Sequence, residues 1–201
     1  MQGVRLVLVV LLALLAGGAA AAPAAAGRTL ATPQFTSGSA VDSRTVTLSW
    51  TKVKGADHYV VEYAPAMRIS TTSTSVTVTD LYPGDAHQFT VRAETRRNVA
   101  SATSAPLVVP TPPEGPSSPS AAPYVEGIRI WWTNGIGCAT YELANVGPGG
   151  TYSAPVEPVA VEQPTSWIVA QEPGTSVSYA VRCVSSAGLF SPWSAPTLVS
   201  T

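Results

Sequence analysis

Short runs in which apolar and polar residues alternate recur along the chain after residue 40. Residues 45–50 and 128–132 both follow this period of two. Such alternation predicts β-strands with one buried face, and no segment has the 3.6-residue apolar period of an amphipathic helix. In the first half of the chain the pattern predicts six strands, near 33–38, 44–50, 57–63, 75–80, 87–94 and 104–110.

The apolar positions of these strands are predicted to fill one core between two sheets. Alternation turns one side chain in two toward that core. The inward set is Val46, Leu48, Trp50, Tyr59, Val61, Tyr63, Val76, Val78, Leu81, Phe89, Val91 and Ala93.

The same pattern occurs twice. An offset of 82 residues superimposes Trp50 on Trp132, and further along an offset of 90 superimposes Gly84 on Gly174. The second copy therefore contains eight additional residues, which we place in a longer connection between the third strand and the strand near 166–169. We predict two repeats joined by a Pro-rich linker, which proline should keep extended and semi-rigid. The boundaries are 29–111 for the first repeat, 112–116 for the linker and 117–201 for the second repeat.

The order of these motifs resembles a fibronectin type III domain. The resemblance covers essentially all of the first repeat, as V-x-L-x-W, Y-x-V-x-Y, V-x-V-x-x-L-x-P-G, F-x-V-x-A and S-A-P, and it extends more loosely to the second. It implies an all-β fold of two tandem immunoglobulin-like sandwiches. In the second repeat it rests on Ile128, Ile130, Trp132, Tyr141, Leu143, Pro173, Gly174, Tyr179, Val181 and residues 191–194.

Two departures from the family pattern bear on the fold. The family usually has a tyrosine three residues after Pro-Gly, whose hydroxyl ties a corner of the sandwich, whereas this chain has His87 and Val177 there. Histidine can still donate a hydrogen bond and valine cannot, so we expect a weaker corner in the second repeat. Trp167 and Val169 have the opposite parity from their counterparts, which predicts a bulge or a register change in that strand.

Both cysteines lie in the second repeat. Cys138 aligns with Ala56 and Cys183 with Ala93, so the second repeat has Cys at two positions where the first has small residues. Paired replacement favours a disulfide, which would close a loop of about 45 residues. The resemblance implies that the two positions are near each other, because the strands that carry them are neighbours in one sheet. Two separate buried thiols are the alternative.

Residues 1–26 are predicted to be a secretory signal peptide. Arg5 precedes an unbroken apolar run over 6–15, and small residues follow. The alternative, a membrane anchor, is less favoured because the run is too short to span about 30 Å of hydrocarbon. We therefore expect a secreted, extracellular, monomeric protein without a membrane span in its mature form. Its net charge of −1 gives no electrostatic reason to bind nucleic acid.

Candidate surface residues lie on both repeats. Trp131 has outward parity. Trp193 is placed near Arg182, where it would either cover the guanidinium or offer a platform for a sugar ring. Arg96 and Arg97 follow the strand near 87–94, in the loop where the family often displays adhesive tripeptides, but no Arg-Gly-Asp occurs.

No sequence motif of catalysis is present. The only histidines are His58 and His87, and no nucleophile, phosphate-loop, dinucleotide or metal-ligand motif occurs. We expect the protein to have no enzymatic activity, no cofactor and no metal site. The favoured interpretation is a secreted interaction or spacer protein with an unknown protein or polysaccharide partner. The alternative is a carbohydrate- or cell-envelope-binding accessory protein that uses exposed tryptophan. Nine Arg against two Lys point to a high-GC bacterium.

Overall fold

The computed structural model describes residues 29–64, 66–125, 127–156, 160–163 and 165–201. The predicted signal peptide lies outside these residues. Strands β1–β7 form a first sandwich and β8–β14 a second. The strands are β1 (Phe35–Ala40), β2 (Val46–Trp50), β3 (His58–Tyr63), β4 (Met67–Thr71), β5 (Ser75–Val78), β6 (Ala86–Glu94), β7 (Leu107–Pro110), β8 (Ser117–Tyr124), β9 (Gly127–Thr133), β10 (Thr140–Asn145), β11 (Ala160–Gln163), β12 (Ser166–Val169), β13 (Ser176–Val184) and β14 (Thr197–Ser200).

In the first sandwich a sheet of order β1-β2-β5 faces one of order β4-β3-β6-β7, with all neighbours antiparallel. The predicted inward positions form its core, and only Tyr63 and Val76 are less than fully buried. Burying this set supplies the main driving force for folding of the sandwich. The fold class is therefore all-β, as predicted.

The prediction of six strands in the first repeat was wrong, because β4 was missed. This strand lies at the edge of its sheet and pairs only with β3. Its side chains are exposed or half-buried, and Met67 is 54% exposed. An edge strand that contributes little to the core has a weak alternation signal.

The second sandwich is connected differently. Its sheets have the orders β11-β12-β9-β8 and β10-β13-β14. After the third strand of the first sandwich the chain adds β4 to the same sheet, whereas after β10 it crosses and adds β11 to the opposite sheet. The eight additional residues lie within this connection, which also contains a short turn at Pro148–Gly150.

The predicted change of register is present, but it lies after β12 rather than within it. Val169 pairs with Ile128 and Trp167 with Ile130 without a bulge, whereas the pairing of β12 with β11 shifts register between Val161 and Gln163. The corresponding residues of the first sandwich, Val78 and Val76, stand at an offset of 91 rather than 90. One residue is therefore missing between β12 and the turn at Gly174, which restores the offset.

The two corners use different side chains. In the first sandwich the His87 Nε2–H donates to the carbonyl oxygen of Tyr82 at 2.9 Å. Val177 has no such group, but the hydroxyl of Tyr179, two residues on, donates to Gln171 Oε1 at 2.9 Å. Burial raises the pKa of the Tyr179 hydroxyl. The second sandwich therefore has its own hydroxyl contact at this corner, which the expectation of a weaker corner did not include.

Candidate functional site

A disulfide joins Cys138 and Cys183, with their Cα atoms 5.4 Å apart. Cys138 lies just before β10, and Cys183 near the end of β13 pairs with Tyr141 of β10. The start of β10 therefore lies beside the end of β13. The side chain of Cys183 is fully buried, as is that of its counterpart Ala93. The disulfide joins the loop before β10 to β13, the middle strand of the β10-β13-β14 sheet.

A ladder of aromatic rings and one guanidinium covers the outer face of the β10-β13-β14 sheet. Arg182 lies 3.8 Å from the ring centroid of Phe190 and 4.5 Å from that of Trp193. Its Nη2 also donates to Glu142 Oε2 at 2.6 Å. The second face of Trp193 stacks on Tyr152, with centroids 4.9 Å apart and an interplanar angle of 12°. We call Tyr152, Trp193, Arg182 and Phe190 the aromatic ladder.

The aromatic ladder leaves Trp193 without an open ring face. One face contacts Tyr152 and the other contacts Arg182. A sugar ring needs an open aromatic face on which to stack, so this geometry favours the covering role of Trp193 over the platform role. Sequence reasoning paired Trp193 with Arg182 but missed Tyr152, which lies in the additional residues of the second repeat and has no counterpart in the first.

Trp131 is 40% exposed on the outer face of β9. It pairs with Ser120 on one side and Ser166 on the other, and it lines a pocket with Arg129, Trp132, Thr165 and Ser166. The guanidinium of Arg129 donates from Nε to Ser166 Oγ at 3.0 Å. In the first sandwich the position of Trp131 is occupied by Ser49, so the aromatic group is particular to the second.

Arg96 and Arg97 lie in the loop after β6, at the end of the first sandwich. The loop is closed by hydrogen bonds from the Thr95 N–H to the Val99 carbonyl and from the Asn98 N–H to the Thr95 carbonyl, both 3.0 Å. Asn98 has a φ of 59°. The side chain of Arg96 contacts Asp57 at 3.4 Å but is 90% exposed.

The junction between the sandwiches is a site that sequence reasoning missed. Residues 111–116, which join β7 to β8, are largely buried, and the Glu114 N–H donates to the carbonyl of Ile136 at 2.9 Å. A Cβ built on Gly137 would stand 2.1 Å from the carbonyl oxygen of Pro83, so the two backbones touch there. Arg44 of the first sandwich binds the Glu114 carboxylate at 2.5 Å.

Within the described ranges, the structure has no group of three or more His, Cys, Asp or Glu placed to hold a metal ion. None of the helices in those ranges has the length and apolar character needed to cross a membrane. The two histidines have separate contacts. His58 contacts Glu94 Oε2 at 3.2 Å, and His87 forms the hydrogen bond to the Tyr82 carbonyl at the corner of the first sandwich.

Comparison with known proteins agrees with this architecture. Residues 31–109 match the family model for the fibronectin type III domain. A two-domain fibronectin type III segment of chicken tenascin is 21% identical, with a TM-score of 0.56 over 84% of this chain and 99% of that one. A fibronectin type III-like protein from Clostridium thermocellum is 24% identical over 43% of this chain and 91% of that one, with a TM-score of 0.36. A comparison with curated proteins finds no match.

Domains of this family are typically non-catalytic interaction modules, and they are often extracellular. The first sandwich has both the sequence signature and the fold of the family, and the chain as a whole shares its fold with the tenascin pair. The protein therefore contains a fibronectin type III domain at residues 31–109 and has the fold of two such domains in tandem.

Proposed function

We propose that this chain is an exported, non-catalytic interaction protein whose two sandwiches act as one rigid spacer. The observation that carries the proposal is the junction, where backbone meets backbone. Both Gly84 and Gly137 have positive φ, at 76° and 78°, and neither has room for a side chain. Contact at this range leaves little freedom for one sandwich to rotate against the other.

The connecting segment supports the same role. Thr111 is completely buried, and its hydroxyl donates to the Tyr82 carbonyl at 3.1 Å. The Gly84 N–H donates to the carbonyl of Pro112 at 3.1 Å. The proline-rich residues thus pack on the first sandwich, and the ion pair of Arg44 with Glu114 adds a contact across the same region. Fixed spacing is what a module between two partners, or between two other domains, would provide.

Export is supported by two features. The N-terminal residues have the charge and apolar run of a signal peptide. A disulfide persists in oxidising compartments and is rare in the reducing cytosol. Fractionation of the producing cells tests this part: we expect protein lacking residues 1–26 in the medium. Recovery of the full-length chain only in the cell pellet would contradict export.

Rotational diffusion tests the rigid spacer. We expect ¹⁵N relaxation of the full chain to give the same correlation time for both sandwiches. Gly137→Ala should separate the two values, because the new methyl group would collide with the Pro83 carbonyl. Gly174→Ala is the matched control, since Gly174 has a similar φ of 73° but nothing within 4 Å of a built Cβ. Independent tumbling of the wild-type sandwiches would overturn the proposal.

Glycan binding is a second candidate function, favoured by the exposure of Trp131 beside a polar pocket. Stacking on a half-exposed indole and hydrogen bonding to neighbouring hydroxyls would suit a sugar ring. We expect this function to show as retention on insoluble chitin, cellulose or cell wall that Trp131→Ser abolishes. This substitution introduces the residue of the first repeat, Ser49. No retention of the wild type on any of the three would exclude this candidate.

A further inference from the structure

The positive charges of the described residues divide into a group in which each cation has a close polar partner and a group at one end that has a single ion pair. Away from one end of the first sandwich, each Arg has a partner. Arg44 binds Glu114, Arg68 binds Glu62 at 3.0 Å, Arg92 binds Glu62 and Glu94, Arg182 binds Glu142, and Arg129 is hydrogen-bonded.

A second group of four cations lies at one end of the first sandwich, and among the described contacts only Arg96 of this group has an ion pair. Lys52 and Lys54, the only lysines of the chain, are exposed in the loop between β2 and β3. Arg96 and Arg97 are exposed in the loop after β6. We call these four residues the basic tip. In the described structure, Asp57 forms an ion pair with Arg96 of the basic tip.

The two loops of the basic tip are held against each other. The Asp57 N–H donates to the Glu94 carbonyl at 2.9 Å, and the Arg96 N–H donates to Asp57 Oδ2 at 2.9 Å. These bonds fix the loop backbones, so the cationic side chains project from a defined base. Residues 1–28, which precede the described chain, contain no Asp or Glu that could neutralise them.

The second sandwich shows that the fold does not require these charges. Its loop after β13 has the same closing bonds, from the Ser185 N–H to the Leu189 carbonyl and from the Gly188 N–H to the Ser185 carbonyl. Where the first sandwich has its four cations, the second has uncharged residues: Asn134 for Lys52, Ile136 for Lys54, Ser186 for Arg96 and Ala187 for Arg97. The charges are thus an addition to a loop that closes without them.

The corresponding loops of the two sandwiches also differ in whether the junction covers them. In the second sandwich, the loop between β9 and β10 packs against the connecting segment, through the bond from Glu114 to Ile136. In the first sandwich, the junction uses the opposite end, at Gly84. The basic tip is therefore the end of the first sandwich that faces away from the second.

We propose that the basic tip is a docking surface for an acidic protein segment that carries an apolar side chain among its carboxylates. The proposal rests on the proposed role of the chain as an interaction protein. Arg96, Arg97 and Val99 line a shallow pocket of about 420 Å³ together with Thr95 and Asp57. Val99 is 44% exposed and offers an apolar contact beside the two arginines of the pocket. No aromatic side chain lines the described pocket, so a sugar ring would have nothing on which to stack.

Peptide binding to the full chain tests the proposal. The probe is a fluorescein-labelled peptide of four glutamates around one leucine, with a second peptide in which glutamine replaces each glutamate. We expect a rise in anisotropy with the acidic peptide at low salt, weaker binding at about 0.15 M salt because the ion pairs are screened, and none with the glutamine peptide. Lys52→Asn, Arg96→Ser and Arg97→Ala together should weaken binding roughly tenfold.

Two controls separate a local site from a general charge effect. The triple variant uses residues found in the second repeat at Asn134, Ser186 and Ala187, and a melting curve checks that it folds. Adding Ser186→Arg and Ala187→Arg to the triple variant restores two of the three lost charges, but in the loop after β13 of the second sandwich. We expect peptide binding to this relocated variant to stay weak. Full binding by the triple variant, or recovery in the relocated variant, would overturn the proposal.

The identity of the partner class is tested in parallel. Polygalacturonate carries carboxylates on sugar rings and no apolar side chain. If it binds the wild type while the acidic peptide does not, the surface does not recognise an acidic protein segment. Neither result affects the rigid spacing of the sandwiches, which is measured by relaxation, so failure here is distinguishable from failure of the proposed function.

Discussion

Arg92 and Arg182 stand at the same place in the two sandwiches and have different surroundings. Arg92 lies between two carboxylates, with Glu62 at 2.5 Å and Glu94 at 2.6 Å. Arg182 has one carboxylate, Glu142, and two aromatic rings. At this position the first sandwich therefore uses ion pairs, and the second uses stacking and cation–π contacts in addition to an ion pair.

The serines beside this face are the same in both copies. Ser101 and Ser104 accept hydrogen bonds from the N–H groups of Ala93 and Val91. Ser191 and Ser194 accept from Cys183 and Val181 in the same way. The backbone at this position is thus fixed by shared serine hydroxyls. The two residues between the serines differ in the two copies: they are Ala102-Thr103 in the first and Pro192-Trp193 in the second. The serine contacts to the backbone are nevertheless the same.

The second sandwich departs further from the regular strand order and has additional side-chain contacts. Its connection after β10 is longer and joins the other sheet, and one residue is missing before Gly174. It has the disulfide, the aromatic ladder and the Tyr179–Gln171 bond, none of which the first sandwich has. Exchanging residues between the two copies tests each of these contacts.

Removing the disulfide should have the largest effect. Cys138→Ala with Cys183→Ala introduces the residues of the first repeat, Ala56 and Ala93. Loss of a bridge that closes 45 residues should lower the free energy of unfolding of the second sandwich by about 3–4 kcal/mol. Denaturant unfolding followed by hydrogen exchange can assign the change to one sandwich. The first sandwich has no cysteine and should be unaffected, and equal loss in both would contradict this assignment.

The aromatic ladder should have the next largest effect. Trp193→Thr introduces the counterpart Thr103 and removes both the stack on Tyr152 and the contact with Arg182. We expect a loss of about 2 kcal/mol in the second sandwich. A double-mutant cycle with Arg182→Gln should give a coupling of about 0.5–1 kcal/mol.

The first sandwich supplies the control for this cycle. Thr103→Ala combined with Arg92→Gln should be additive, because no contact joins the two side chains in the described structure. A coupling in the second sandwich that is no larger than in the first would show that the ladder does not stabilise Arg182.

The polar corner pair of the second sandwich can be exchanged as a unit. Tyr179→Phe should cost about 1 kcal/mol, since Gln171 Oε1 loses its donor. Adding Gln171→Leu introduces the apolar pair of the first repeat, Leu81 and Phe89. It also removes the hydrogen bond from Gln171 Nε2 to the Thr175 hydroxyl, so we expect it to recover only part of the loss. Tyr152→Phe is the control, because its ring stacks but no hydroxyl bond of Tyr152 is among the described contacts. A double variant less stable than Tyr179→Phe would contradict this account.

The sequence was sufficient for the core and insufficient for the contacts between elements. Val46, Leu48 and Trp50 could be assigned because burial on one face of a strand produces strict alternation. The edge strand β4 could not, because none of its residues is fully buried and its apolar alternation is therefore weak. The junction was missed for a different reason: Gly84 and Gly137 meet through their backbones, and such contact leaves only an isolated glycine in each repeat.

The candidate surfaces divide in the same way. Arg182 and Trp193 were paired because they lie in aligned segments. Tyr152 was not, because it falls in residues that have no counterpart. The basic tip combines two loops whose residues Lys52 and Arg97 are 45 positions apart in sequence. Their proximity follows only from the neighbouring positions of β3 and β6.

The smallest expected effect is a pH dependence confined to the first sandwich. Hydrogen bonding to Arg92, with a further contribution from His58, lowers the pKa of the Glu94 carboxyl below its ordinary value of 4.5. A carboxyl with a lowered pKa stabilises the folded state above the unfolded pKa, and this contribution is lost as the pH falls through the folded pKa. Glu94→Gln should therefore lower stability at neutral pH by less than about 1 kcal/mol, and the difference from wild type should shrink below about pH 4.5. The second sandwich has Val184 at this position, so its unfolding measured on the same samples is the control. A constant difference between the variant and the wild type from neutral to acid pH would show that the ion pair with Arg92 contributes nothing to the first sandwich.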